Sequence, residues 1–187
     1  NIGGTWHTDH SYDQIPAMGS MLYARQVPPA GGDTLFSSMT LAFEALSDGM
    51  KKTLLGLNAW HSSRHAFGYG VSDSEHYEDG RLANPELAVQ DALHPVIITH
   101  PLSGKKALYV NADFTVRFDG WTIEESQPLL DFLYAHGARE EFTCRFEWQE
   151  GSIALWDNRA TWHNAMNDYH GHRRVMHRIT LEGVALQ

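Results

Sequence analysis

Trp6-His7-Thr8-Asp9 and Trp156-Asp157-Asn158-Arg159-Ala160-Thr161-Trp162-His163 stand at opposite ends of a 187-residue chain. On a strand, residues i and i+2 point to one face, so His7 and Asp9 can reach a common point. His163 can join them only if the fold closes and brings its two ends together. Two imidazoles and one carboxylate gathered on one side of an ion leave the opposite coordination positions open.

The sequence between these stretches suits such a closure. Residues 19–27 predict a strand, and Pro28-Pro29-Ala30-Gly31-Gly32 forces a turn after it. Residues 40–46 predict a short helix, and Ser47 can cap a second one running to about Leu55. Further strands are expected at 57–60, 95–99, 107–110, 142–148, 152–156 and 174–181. Thr122-Ile123-Glu124-Glu125 is a capping box before the apolar set Leu129, Leu130, Phe132 and Leu133, with Gly137 placed to end that helix. Residues 69–91 are polar, carry glycine and lack periodicity, which predicts a long loop or lid. Strands therefore dominate, with flanking helices. Convergence of both chain ends on one ion favours a double-stranded β-helix, the cupin-like jelly roll.

Composition bounds the function. The length suits one domain with a real core and is short for two. Hydrophobic content of 42% and charged content of 20% are those of a folded globular chain. No apolar run approaches the roughly 18 residues of a membrane span, and no signal-peptide pattern opens the sequence. A net charge of −9 argues against a phosphate-tracking surface. Neither nucleic acid nor membrane is expected as a partner; a small-molecule substrate is, with homo-oligomerisation left open. The single cysteine, Cys144, has no internal disulfide partner and points to a reducing, cytoplasmic setting. Of 12 histidines, no more than two or three are expected at a site.

A two-histidine, one-carboxylate set with open positions is the facial triad of non-heme Fe(II) oxygenases, which use those positions for an oxo acid and O₂. Further stretches lie between and after the two ends: Gly31-Gly32-Asp33-Thr34, Leu93-His94-Pro95, Thr99-His100-Pro101, Leu108-Tyr109-Val110-Asn111 and Arg173-Arg174-Val175-Met176-His177-Arg178. In order and spacing the whole set resembles the taurine dioxygenase (TauD/TfdA) family of Fe(II)- and 2-oxoglutarate-dependent dioxygenases, over nearly the full chain. Family members carry a substantial portion before Trp-His-Thr-Asp, whereas this sequence begins at Asn1. The expectation is a single dioxygenase catalytic domain, residues 1–187, lacking that portion.

The resemblance implies that Fe(II) binds His7, Asp9 and His163, and that 2-oxoglutarate and O₂ are co-substrates. It places the distal carboxylate of 2-oxoglutarate on Arg174 and Thr34; independently, a guanidinium forms bidentate, charge-assisted pairs with carboxylates. Arg178 lies four residues on. On a strand the two arginines share a face roughly 13 Å apart at Cα, and the family counterpart of Arg178 faces the substrate sulfonate. Phe67 and Phe114 match phenylalanines of the taurine enzyme's substrate pocket. Gly3 stands where taurine enzymes present an amide, a departure that argues against taurine itself. A carboxylate at Asp9, where related halogenases have a small residue, implies hydroxylation rather than chlorination. The implied reaction hydroxylates a small anionic substrate (sulfonate, sulfate ester or aryloxy acid) with release of succinate and CO₂.

Plainer readings exist for each residue. His7 and Asp9 could form a solvated strand end, Thr34 a turn, Arg174 and Arg178 structural ion pairs, and the two phenylalanines plain core. The three ligands also suit a Zn-dependent hydrolase, which leaves the arginines and the Gly-Gly-Asp-Thr turn without a use, or a non-catalytic metal-binding jelly-roll fragment. His10 is expected beside the ligands, at the pocket edge or solvated. The remaining histidines are expected to be structural or on the surface, with His177 on the strand face opposite the two arginines.

Overall fold

The computed structural model describes residues 4–67 and 85–186. Strand β1, Gly19–Gln26, is followed by the predicted turn, whose Gly31 and Gly32 take φ of 77° and 74°, a region closed to most residues with a Cβ. The chain then enters β2, Thr34–Ser38. The Ser38 and Ser47 hydroxyls accept from the N–H groups of Leu41 and Met50, starting α1, Met39–Glu44, and α2, Asp48–Leu54. Next come β3, Asn58–Ser62, and α3, Arg64–Phe67. After residue 84 follow β4, Asp91–Pro95; β5, Ile97–Thr99; β6, Lys106–Leu108; and β7, Thr115–Phe118. The Thr122–Glu125 capping box opens α4, Ile123–Gly137. Strands β8, Thr143–Phe146, β9, Ile153–Asp157, β10, Thr161–Ala165, and β11, Val175–Leu181, complete the chain.

The result is mainly β with a few helices, in small antiparallel sheets. β1 lies between β11 and β9, β2 between β10 and β8, β3 between β4 and β7, and β5 pairs with β6. Ala24, Ala154 and Trp156 of the first sheet form a small core with Trp148, and Phe36 and Phe146 of the second sheet pack against it. The sheets that carry the two ends of the chain therefore face each other. A larger core under α1, α2 and α4 buries Met39, Leu54, Ile98, Phe118, Leu133 and Trp162, each contributing about 1.5–3 kcal/mol of apolar burial.

Several expectations shift. The strand predicted at 95–99 is two strands broken at Val96, and that at 142–148 shortens to β8 after a 3₁₀ turn, Glu140–Phe142. Strands β2, β7 and β10 and most of β4 go beyond the sequence reading. Most of the predicted 69–91 loop lies outside the described residues; of its described end, Pro85–Leu87 is a 3₁₀ turn and Asp91 already begins β4. Gly137 is the last residue of α4, yet its smallness answers a different need. A Cβ there would lie 2.5 Å from the Trp162 ring. Among the described residues no helix is long and apolar enough to cross a membrane.

Candidate active site

The expected strand at His7 and Asp9 reduces to a single bridge. His7 N–H donates to the His163 carbonyl at 3.1 Å and His163 N–H to the His7 carbonyl at 2.8 Å, while Asp9 sits in the turn that follows. Convergence survives because other contacts aim the side chains. His7 Nδ1 faces the Thr5 carbonyl at 2.9 Å; a carbonyl only accepts, so the proton sits on Nδ1 and the Nε2 lone pair is free. That Nε2 is 3.7 Å from Asp9 Oδ1. His163, on β10 opposite Phe36, brings its Nε2 to 3.9 Å from the same oxygen. Asp9 Oδ2 accepts from the Ser20 hydroxyl of β1 at 2.7 Å. All three residues are buried, with one ligand atom of each within 4.8 Å of the others.

Electrostatics match a cation site. Burial alone would raise the Asp9 carboxyl, but contact with His7 and the charge of the nearby Arg178 guanidinium hold it well below the usual range. Burial, and then repulsion from His7, push His163 down to about 3, so its ring is neutral at any ordinary pH and has a lone pair for a cation. For His7 burial acts downward, but the carboxylates of Asp9 and Asp113 outweigh it and raise the ring. A divalent ion replaces a proton readily in such a place.

The Trp156–Arg159 motif braces the segment that leads to His163. Asp157 accepts from Arg159 Nε at 2.8 Å and from its Nη2 at 2.6 Å, and from His100 Nε2 at 2.9 Å. Thr8 donates to the Asn158 carbonyl at 2.5 Å. These bonds tie the β9–β10 connection to the segment between His7 and Asp9.

The triad opens into a cavity of about 310 Å³ that Thr34, Arg174, Arg178, Phe67 and Phe114 also line, within the scale of a small-molecule site. Gly32 leaves room for the Arg174 stem: a Cβ there would lie 3.1 Å from Arg174 Cδ. The Arg174 guanidinium lies 5.7 Å over the Trp148 ring, and the Trp148 indole donates to Thr34 Oγ1 at 3.0 Å. Nε and Nη2 of Arg174 are buried without a hydrogen-bond partner, and that burial lowers its affinity for the proton. Buried guanidinium N–H groups left without an acceptor are costly. A carboxylate entering the cavity would satisfy it, and the Thr34 hydroxyl, already accepting from Trp148, keeps its proton to donate.

Arg178 is different. Its Nη1 is 3.4 Å from Asp9 Oδ1 and its Nη2 is 3.3 Å from His10 Nε2. The expected shared strand face holds only in outline, since Arg174 precedes β11 and a register shift in β1 lies opposite; both arginines still reach the cavity. His177 points away, in contact with Arg25. The Phe67 and Phe114 rings are 5.7 Å apart, and Tyr12 meets both edge-on. Gly3 lies outside the described residues. His61, His94 and His136 are buried and bonded within the fold, to Ser11, the Asp13 carbonyl and the Ala42 carbonyl.

Tyr12 and Asp113 also line the cavity, though neither is among the expected site residues, and Trp156 of the quoted motif joins them. Burial pushes the Tyr12 phenol up to about 12. Asp113 accepts from Thr5 and lies 3.5 Å from His7 Nδ1. A signal for Asp113 was present in Asn111, whose side chain accepts from Phe114 N–H at 3.0 Å. Such a turn puts the intervening residues at a loop tip.

Comparison with known proteins places the chain in a family. The chain matches the taurine catabolism dioxygenase TauD, TfdA family over residues 1–180 and belongs to it. It is 39% identical over 178 residues to the alpha-ketoglutarate-dependent dioxygenase cnsP of Penicillium expansum, covering 94% of this chain and 46% of that protein. It is 37% identical over 181 residues to an alkylsulfatase of Acinetobacter baylyi, covering 96% of this chain and 56% of the other. A crystal structure of a taurine dioxygenase from Burkholderia xenovorans superposes with a TM-score of 0.81 at 35% identity, over 99% of this chain and 58% of that one. The chain thus spans about half the length of the curated relatives it matches.

Proposed function

We propose that this chain is the catalytic domain, residues 1–187, of an Fe(II)- and 2-oxoglutarate-dependent dioxygenase that hydroxylates a small anionic substrate. The observation that carries the reading is the meeting, in one cavity, of the buried His7, Asp9 and His163 ligand atoms with the Arg174 guanidinium, whose Nε and Nη2 have no hydrogen-bond partner among the described residues. In this reading His7, Asp9 and His163 hold Fe(II), and Arg174 with Thr34 holds the distal carboxylate of 2-oxoglutarate. Fe(II) so bound supplies the oxidising chemistry by which 2-oxoglutarate, O₂ and a C–H bond become succinate, CO₂ and an alcohol. The residues of the chain do the positioning. Ser20 fixes the Asp9 carboxylate, the Thr5 carbonyl fixes the His7 tautomer, and Phe67, Phe114 and Tyr12 exclude water from the substrate's apolar body. Arg178 receives the substrate's anionic group. Names such as alkylsulfatase and taurine dioxygenase among the relatives favour a sulfate ester or sulfonate, with aryloxy acids as a further class.

The facing sheets around β1 and β2 support the double-stranded β-helix as the architecture, and the lone exposed Cys144 supports a cytoplasmic setting. A Zn-dependent hydrolase on the same ligands would leave Arg174 without a role. Anaerobic addition of Fe(II) and 2-oxoglutarate tests the reading: a visible metal-to-ligand charge-transfer band is expected, followed on admitting O₂ by succinate release with one of a panel of alkyl sulfates, sulfonates and aryloxy acids. Absence of the band with metal bound would reject it.

A further inference from the structure

The turn after Asp9 contains an arrangement that the metal triad does not require. Among the described non-glycine residues only His10 has positive φ, at 61°, a conformation that costs about 1 kcal/mol or more for a residue with a Cβ. The strained backbone aims the imidazole at two partners. Nδ1 lies 2.9 Å from Asp13 Oδ2 and Nε2 lies 3.3 Å from Arg178 Nη2. The hydrogen-bond polarity is fixed at both ends. A carboxylate only accepts, so Nδ1 carries the proton; a guanidinium only donates, so Nε2 presents its lone pair. The neutral ring satisfies both at once.

We infer that Asp13 and His10 form a positioning relay that holds the Arg178 guanidinium at the cavity, oriented for the anionic head group of the substrate. This rests on the reading of Arg178 given above and adds the device that makes it effective. Arg178 has a long flexible stem and a side chain 46% exposed, and its other anchor is Asp9 at 3.4 Å. That anchor is also a ligand of the triad, and its charge is shared once a cation sits there. The His10 contact is independent of the ion and pulls the opposite end of the guanidinium. Two anchors on two different nitrogens fix the plane of the fork, and that plane selects the geometry of an incoming sulfate or sulfonate. Asp13 does not touch the guanidinium; it acts through the ring it orients.

Two measurements test the relay. His10→Asn keeps a residue that tolerates positive φ but cannot span the gap, so it removes the relay without imposing a new backbone strain. Phenylglyoxal labelling of Arg178, read by peptide mass spectrometry on the ligand-free protein, should run several-fold faster in His10→Asn and in Asp13→Ala than in the parent, with melting temperature of His10→Asn unchanged or raised. Equal labelling rates in all three proteins overturn the relay. Calorimetric titration of hexyl sulfate into the protein holding Fe(II) and 2-oxoglutarate without O₂ should show roughly tenfold weaker binding for His10→Asn, a larger loss for Arg178→Ala, and no further loss in the double variant. An equal additional loss in the Arg178→Ala background overturns the relay. Faster labelling together with unchanged hexyl sulfate affinity in Arg178→Ala supports the relay and instead overturns the head-group role of Arg178.

Discussion

The guanidinium carbon of Arg174 lies 5.7 Å over the ring of Trp148, with two of its nitrogens buried and unbonded. The aromatic face supplies part of what the cation loses on leaving water, and the rest is left for a ligand to supply. Arg174→Ala should therefore raise the KM for 2-oxoglutarate by 30-fold or more, equivalent to about 2–5 kcal/mol for losing one partner of a buried charged pair. Arg174→Lys should recover only part, because an ammonium cannot reproduce the fork. Trp148→Phe keeps a ring under the cation and loses only the bond to Thr34, so its effect should stay near 1 kcal/mol. Steady-state kinetics at saturating primary substrate measure all three; an unchanged KM in Arg174→Ala would move the carboxylate site elsewhere.

Removal of a ligand should separate chemistry from folding. Asp9→Ala and His163→Ala should lose Fe(II) on gel filtration and form no succinate, while far-ultraviolet circular dichroism stays that of the parent. Ordinary succinate formation in Asp9→Ala would disprove the triad.

Gly137→Ala offers a test of packing. In an exposed helix interior this change stabilises by about 1 kcal/mol. Here the new methyl meets the Trp162 ring at 2.5 Å, and overpacking should turn the effect into a loss of about 1–3 kcal/mol. Urea denaturation followed by tryptophan fluorescence reads the sign directly.

His61 should contribute to acid sensitivity. Burial, helped by repulsion from His94, lowers its ring from 6.5 to about 3. Between those values the unfolded chain binds a proton that the folded one refuses. The contribution is complete above pH 6.5 and falls as pH drops toward 3, by up to about 1.4 kcal/mol per pH unit. His61→Leu should flatten that part of a plot of urea midpoint against pH; an unaltered slope would show that other groups set it.

What the sequence reveals is unevenly distributed. His7, Asp9 and His163 are legible because ligand chemistry restricts residue type, and Thr122 with Glu125 because a helix cap is a local event. Strand β2 is not legible: Leu35 and Phe36 are adjacent, both half-buried, and Thr34–Ser38 carries no period-two alternation. Asp9 reaches the triad from a turn rather than a strand, and the left-handed backbone that follows at His10 is signalled by a histidine far more weakly than by a glycine. Tyr12 and Asp113 enter the cavity through tertiary packing of the Phe67 and Phe114 walls. Gly137 ends α4 where the sequence places the stop, but its second role, clearance for the Trp162 indole of β10, has no local signal.

The bridge between His7 and His163 also bears on kinetics. The two proposed ligands are held at fixed separation by two backbone hydrogen bonds, so the ordering entropy of joining them would be met by folding rather than by an ion. If these residues hold an ion as proposed, its release is expected to be fastest when that bridge opens. The residence time of bound metal should track the deuterium exchange of the His7 and His163 amides, making these two protons a clock for demetallation.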